Sequence, residues 1–347
     1  MTASFIIPAF NASKTIDRCL NSIYSLGLLD ADYEIIVIDD DSSDDTVSIV
    51  KSHLEKHDNL TLVIQPENHR QGAARNRGLS IANGDYIVFV DSDDETAPGV
   101  ISALKLSVDF GLDMVAMRVA TLGENGQIVK ETVPLEDNVF FTGKELQTRH
   151  PFWFTGPVAY VYRKAFIEKV AYPFAEDVLF EDSDFVNVHL FYADRMSFCN
   201  DCGYLIHYNE GSTTRTVSPK HVCDYAILGS RMLSFYQNRI DERGTAYADN
   251  ILEGGSYNIM RSCKNLFKLK SFSDVISFYQ RLDQFCDRKQ LLGYRKPAYC
   301  WTNWTRFCIK HKNWTVIIVG LVLSSRFLNL RIVLRKLFNP IRNKVRN

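Results

Sequence analysis

Asp91-Ser92-Asp93-Asp94 puts three carboxylates into four positions directly behind an apolar run, Tyr86-Ile87-Val88-Phe89-Val90. Carboxylates this close cannot all stay ionised without a cation among them. A hard divalent ion, Mg²⁺ or Mn²⁺, that itself holds a phosphate is their natural partner. The same residues also suit a solvated acidic loop that caps the following helix, because Asp and Ser both serve at helix caps. A second acidic run, Asp39-Asp40-Asp41-Ser42-Ser43-Asp44-Asp45, follows the apolar segment 34–38. A third pair, Glu181-Asp182, stands where a helix is expected to open. Negative charge there also favours the helix dipole.

These groups share a reaction centre only if the elements that carry them end on one side of a sheet. The patterning predicts strands at 4–8, 34–38, 60–64 and 86–90. Ser13 is the expected N-cap of a helix in which Ile16, Cys19, Leu20, Ile23 and Leu26 recur at three-to-four spacing. Helices over 45–57 and 72–82, the latter carrying Arg75 and Arg77, separate the later strands. This alternation predicts an α/β fold built on a doubly wound, mostly parallel, Rossmann-like sheet. Parallel strands end at one edge. Asn11 after the first strand and the aspartates after the second and fourth therefore meet where open α/β sheets bind ligands. Further on, the expectations are a helix at 98–110, a hairpin within 114–133, an aromatic loop at 151–157 and a strand at 158–162. A short helix at 163–170, a helix from about 179 to 193, and two strands at 196–199 and 204–208 follow. From 219 to 292 the apolar spacing is helical throughout.

A chain of 347 residues argues for one large domain with an appendage, or for two domains. The net charge of −1 hides an asymmetry. Residues 288–347 hold 14 Lys and Arg and no Asp or Glu, which leaves 26 basic against 41 acidic residues in the rest. An acidic body disfavours a nucleic-acid partner. Neither a signal peptide nor a spanning helix is expected from the apolar patterning. Eight scattered cysteines fit reduced thiols in a cytosolic protein, and Cys199-Asn200-Asp201-Cys202 has no second pair at zinc-finger spacing. Residues 314–323 are nearly all apolar but too short to span a bilayer. Beyond them, basic residues from Arg326 to Arg346 alternate with Phe327, Leu328, Ile332, Leu334, Leu337 and others. Two readings fit this tail: a helix lying on an anionic membrane, or a helix packed on the protein with a solvated basic face.

Taken together, Ile7-Pro8-Ala9-Phe10-Asn11, Val37-Ile38-Asp39-Asp40-Asp41-Ser42, Ala74-Arg75-Asn76-Arg77-Gly78, Asp91-Ser92-Asp93-Asp94 and Glu181-Asp182 come in the order and near the spacing of a known family. Residues 1–215 resemble a family 2 glycosyltransferase of the GT-A fold, of the bacterial surface-polysaccharide type. The resemblance implies an inverting enzyme that uses a nucleotide-sugar donor, UDP-sugar favoured, and a glycan or lipid-linked glycan acceptor. It implies that Pro8, Ala9 and Phe10 line the base and ribose, that Asp39 accepts a hydrogen bond from a uracil imide, and that Asp40 shapes that loop. Arg75 would face the pyrophosphate or base, Asp91 would contact the ribose, Ser92 would meet the donor, and Asp93 with Asp91 would form a DXD motif that holds the divalent metal. Asp182 would be the general base for the acceptor hydroxyl, with Glu181 beside it. Capping of their helix is the alternative role for that pair. His207 is either a further metal ligand or a core residue, near a loop, His207 to Thr213, that resembles one closing over the diphosphate. Trp153 and Phe154 either stack on an acceptor sugar or pack internally.

The organisation expected is a GT-A domain at 1–215, a helical region at 216–311 and a basic amphipathic tail at 312–347. A cytoplasmic enzyme at the inner face of the cell membrane follows from that tail. Asp41 stands where the family usually has Gly, and Asp tolerates left-handed backbone. Arg70 also stands where Gly is common, with Gly72 expected to restore flexibility. The alternative in another class is a non-catalytic nucleotide-sugar-binding or scaffold protein on the same fold. A sugar nucleotidylyltransferase is disfavoured, because no Gly-rich N-terminal loop with a following Arg and Lys is present.

Overall fold

The computed structural model describes residues 3–132, 139–149, 156–207, 219–238 and 258. Trp153, Phe154, the loop from 208 to 213, most of the helical region and the whole basic tail lie outside them. The chain divides into two compact units, residues 1–215 with 235–253 and residues 216–234 with 254–347. In the second unit lies most of a helix that spans Pro219–Gln237. Among the described residues no helix is long and apolar enough to cross a membrane.

The first unit is a nine-stranded mixed sheet with helices against it. Its opening half follows the expected alternation: β1 (Ala3–Ala9), α1 (Ile16–Tyr24), β2 (Tyr33–Asp39), α2 (Thr46–Leu54), β3 (Leu60–Ile64), α3 (Arg70–Ile81) and β4 (Tyr86–Phe89). β1 and β2 are apolar on both faces and almost wholly buried, as strands in the middle of a covered parallel sheet must be. β5 (Glu95–Thr96), α4 (Gly99–Phe110), β6 (Met114–Leu122), β7 (Ile128–Glu131), α5 (Gly143–Arg149), β8 (Tyr160–Arg163), α6 (Lys164–Val170), α7 (Asp182–Tyr192) and β9 (Met196–Ile206) complete it. The strand order is β3-β2-β1-β4-β8-β6-β9-β5, with β7 on β6 as a hairpin. β1, β2, β3, β4, β6 and β9 run one way, and β5, β7 and β8 the other.

That order forces a curl. β4 and β5 are separated by three strands, roughly 19 Å across a flat sheet at about 4.8 Å per strand. Yet residues 90–94 join them and fold back on themselves, with the Asp94 N–H donating to the Asp91 carbonyl at 3.0 Å. A tight turn cannot bridge a flat sheet of that width, so the sheet curls and brings β9 and β5 behind the end of β4.

Four expectations change. Thr15, not Ser13, precedes α1; the Ser13 N–H is taken by the Asp44 carboxylate at 3.0 Å, because the chain first makes a turn at Ala12. The two strands expected at 196–199 and 204–208 are one, β9, bulged where its register with β6 shifts. The strand at 158–162 starts at Tyr160, after a short 3₁₀ turn opened by Pro157. Gly72 restores no flexibility, since it is helical and Arg70 itself takes the left-handed φ of 70°. A Cβ at Gly72 would lie 2.1 Å from the Ala175 carbonyl oxygen, and one at Gly78 2.4 Å from Ile6. Gly78 therefore seats α3 close on β1, and Gly72 seats it close on the segment before α7.

His189 of α7 is buried, with Nδ1–H donating to the Phe185 carbonyl at 2.8 Å and the ring 3.9 Å from that of Phe185. Burial pushes its pKa down to about 4 against the one hydrogen bond. The folded protein thus holds it neutral. Its contribution is whole above the ordinary histidine pKa of about 6.5 and is lost as pH falls from there towards 4, about 1.4 kcal/mol per unit. Urea unfolding between pH 7 and 4.5 should show the wild type losing more stability on acidification than His189→Leu. Parallel pH dependence in the two proteins would remove this residue from the account.

Candidate active site

The carboxyl edge of β1, β2 and β3 carries Ala9, Asp39 and Ile64 in register, on one face of the sheet. Asp39 is only 1% exposed. Its Oδ2 accepts the Ser42 N–H at 3.0 Å, whereas its Oδ1 is buried with no partner among the described residues. Pro8 and Ala9 are buried in β1, and Phe10, just past it, is 51% exposed. The neighbouring Asp40 is used up internally: Oδ1 accepts from Gln65 at 2.6 Å and the His69 N–H at 2.9 Å, and Oδ2 accepts the Arg70 N–H at 2.6 Å. It pins the start of α3, which lets Arg70 hold its left-handed backbone. Asp41, with a φ of 65°, makes the turn that Gly usually makes.

Arg75 projects from α3 and is 2% exposed. Its Nη2 lies 2.7 Å from Asp91 Oδ1, and its Nη1 pairs with Glu181 Oε1. Its ring-facing side stacks over Phe174 at 5.4 Å. Burial works against the guanidinium charge, but Asp91 and Glu181 together hold it protonated. Burial likewise pushes Glu181 up while Arg75 pulls it back. Glu181 occupies the N-cap of α7 but makes no capping hydrogen bond with its side chain. Its carboxylate crosses to Arg75 instead, so the capping role is not the one it plays. Asp182, half-buried at the first position of α7, is pushed up to about 7 by loss of water and then by the Glu181 charge, with Arg75 opposing.

Asp94 is buried, while Asp91, Ser92 and Asp93 are half-buried at the same turn. Burial, then the charges of Asp91 and Asp93, push Asp94 up to about 8. Its Oδ1 accepts the His207 N–H at 2.8 Å and its Oδ2 accepts the Tyr204 hydroxyl at 3.0 Å. The His207 ring is neither in the core nor on the aspartates: Nε2 lies 2.5 Å from Glu95. Among the described residues no three ligating side chains converge on one point. What the chain offers a metal is Asp93 and the second oxygen of Asp91, which has no protein partner among the described residues. Such a pair fits a hard cation that completes its shell with diphosphate oxygens and water, the usual arrangement for Mg²⁺.

The sequence profile of glycosyl transferase family 2 matches residues 4–171, the stretch that carries the sheet edge, Arg75 and the acidic turn. Residues 4–171 belong to glycosyl transferase family 2. A GalNAc(5)-diNAcBac-PP-undecaprenol beta-1,3-glucosyltransferase of Campylobacter jejuni is 31% identical over 48% of this chain and 52% of its own. A poly(ribitol-phosphate) beta-glucosyltransferase of Bacillus spizizenii is 39% identical over 27% of this chain and 15% of its own. The chain thus matches about half or less of the length of these two relatives. In fold, the domain is similar to TarS 1–349 of S. aureus, solved in complex with UDP-GlcNAc, with a TM-score of 0.65 at 23% identity over 84% of this chain and 83% of that one.

Strand patterning brought Asn11, Asp39, Asp91 and Asp93 to one sheet edge, and the family resemblance added Arg75, Glu181 and Asp182. Neither foresaw that Arg75 would be spent on two carboxylates, or that Tyr204 and Arg18 stand behind the acidic turn. A tyrosine in an apolar strand and an arginine on an amphipathic helix carry no local signal of such contacts. Arg75→Met should leave Asp91 and Glu181 facing each other without a cation and cost about 3–5 kcal/mol in urea unfolding. Adding Glu181→Gln to that variant should recover part of the loss; no recovery would mean that the ion pair is not what Arg75 supplies.

Proposed function

We propose that the protein is an inverting glycosyltransferase that moves a sugar from a nucleoside-diphosphate sugar, a UDP-sugar by preference, to a hydroxyl of a glycan or lipid-linked glycan in cell-surface polysaccharide synthesis. One observation carries this reading. The buried Arg75 holds the carboxylate behind β4 and the carboxylate at the mouth of α7 to one guanidinium, so a donor edge and a base share one site. The orphaned Oδ1 of Asp39 supports uracil, whose imide N–H would satisfy it. Cytosine has no such proton. Phe10 offers an exposed flat face beside it, with Pro8 and Ala9 below. Asp40 acts indirectly, by fixing the loop.

Asp91, Ser92 and Asp93 face the diphosphate in this reading. A Mn²⁺ or Mg²⁺ held there by Asp93 and Asp91 would neutralise charge on the leaving group as a Lewis acid. Asp182 accepts the proton of the acceptor hydroxyl. That oxygen forms its bond to the anomeric carbon from the face opposite the departing phosphate oxygen, which leaves with the bonding pair, so the configuration inverts. Glu181, tied to Arg75, keeps its neighbour in place and raises its basicity through their like charge.

The acceptor class rests on the relatives, one named for an undecaprenol-linked acceptor and others for poly(ribitol-phosphate). A GT-A domain at 1–215, a helical region at 216–311 and a tail at 312–347 that meets an anionic membrane from the cytoplasmic side complete the proposal. Deleting 312–347 should abolish pelleting with anionic vesicles.

The experiment is a panel of UDP-, GDP-, dTDP- and CMP-sugars, scored for binding and for slow donor hydrolysis, with Mn²⁺ or chelator. UDP should bind, and Asp39→Ala should weaken it at least tenfold. Asp182→Asn should keep binding and lose turnover by at least a hundredfold. In the wild type kcat should fall about tenfold per pH unit below about 7, as the base takes a proton, and level off above it. Binding of no nucleotide in the panel would sink the proposal.

A further inference from the structure

The acidic turn is held from behind by Tyr204, His207 and Arg18. The Tyr204 hydroxyl of β9, fully buried, accepts the Asp91 N–H at 2.9 Å and donates to Asp94 Oδ2 at 3.0 Å. The other Asp94 oxygen is fixed by the His207 N–H, just past the end of β9. Arg18 of α1 donates to the Asp93 carbonyl at 2.6 Å and lies 3.2 Å from Glu95. β5, which follows the turn at once, pairs with β9 opposite Tyr204 and Leu205. Both ends of the turn are thus sewn to β9, and one hydroxyl sits at the seam.

We propose that Tyr204 is a positioning residue that sets the spacing of the Asp91 and Asp93 carboxylates for a divalent cation. It acts through the Asp91 backbone and through Asp94, which is itself an anchor and not a ligand. A hydroxyl that accepts from one backbone amide and donates to one carboxylate fixes both partners relative to β9. Take it away, and the Asp91 N–H and a buried carboxylate oxygen lose their partner together, so the turn relaxes to find new ones. Metal binding is sensitive to such slack, because a pair of carboxylates binds a hard cation only at the right separation. The nucleobase end, built on β1, β2 and β3, has no bond to Tyr204 and should not feel the change.

The inference rests on the metal-assisted reading above, and the test separates the two. In full-length protein with saturating UDP, free Mn²⁺ would be followed by electron paramagnetic resonance for the wild type and for Tyr204→Phe. UDP binding in chelator would be measured by calorimetry on both. Mn²⁺ affinity should weaken at least tenfold in Tyr204→Phe while UDP binding in chelator stays within twofold. Should that variant not fold, Asp94→Ala removes the acceptor of the Tyr204 hydroxyl and is expected to show the same split. Mn²⁺ taken up equally well by wild type and variant overturns the role of Tyr204 and leaves the metal reading standing. Loss of metal and of metal-free UDP binding in equal measure makes Tyr204 an ordinary structural residue and overturns it as well. A wild type that takes up no Mn²⁺ overturns both.

Discussion

A site that gathers Asp39, Asp91, Asp93, Asp94, Glu181 and Asp182 along one sheet edge must solve a problem of like charge. The buried guanidinium of Arg75 is the main solution. It pairs with Asp91 on one side and Glu181 on the other, each carboxylate taken by a separate nitrogen of its planar fork. Other carboxylates nearby are settled by other partners. Asp39 and Asp40 take backbone amides, Asp94 takes a tyrosine and an amide, and Asp182 is left with a raised affinity for a proton.

Burying an arginine costs desolvation, and the fold meets that cost by geometry. α3 turns Gly78 to β1 and Gly72 to the segment before α7, places where any Cβ would clash. Close approach brings Arg75 within hydrogen-bond reach of two elements distant in sequence. The same closeness lays the guanidinium on Phe174, which itself stacks on Phe185 of α7 with ring centres 3.7 Å apart. The packing core and the charged centre are therefore continuous, and α7 is placed by both.

The second constraint is the curl of the sheet. Joining β4 to β5 by a tight turn brings the far strands round behind the acidic residues, so β9 becomes a back wall to the turn. Parallel strands β1, β2, β3 and β4 supply the open edge, as in any doubly wound sheet. β9, with the short antiparallel β5 paired to it, supplies the support. Similarity of fold to TarS at 23% identity shows that such an architecture outlasts much of its sequence.

Local patterning was enough for the first half of the domain. Apolar runs 4–8, 34–38, 60–64 and 86–90 emerge as strands within a residue or two, because each is a short, continuous, β-branched segment between turn residues. It was also enough to bring the chemistry to one edge, since parallel strands leave no other place for residues that follow them. The motif order carried the family, which the profile match over 4–171 bears out. The partners of those residues were decided by tertiary structure alone. Arg75 meets Glu181 across 106 positions and Tyr204 meets Asp94 across 110. A side chain's hydrogen-bond partner at that distance depends on how closely helices sit and how far a sheet curls, and neither quantity is written in any window of sequence.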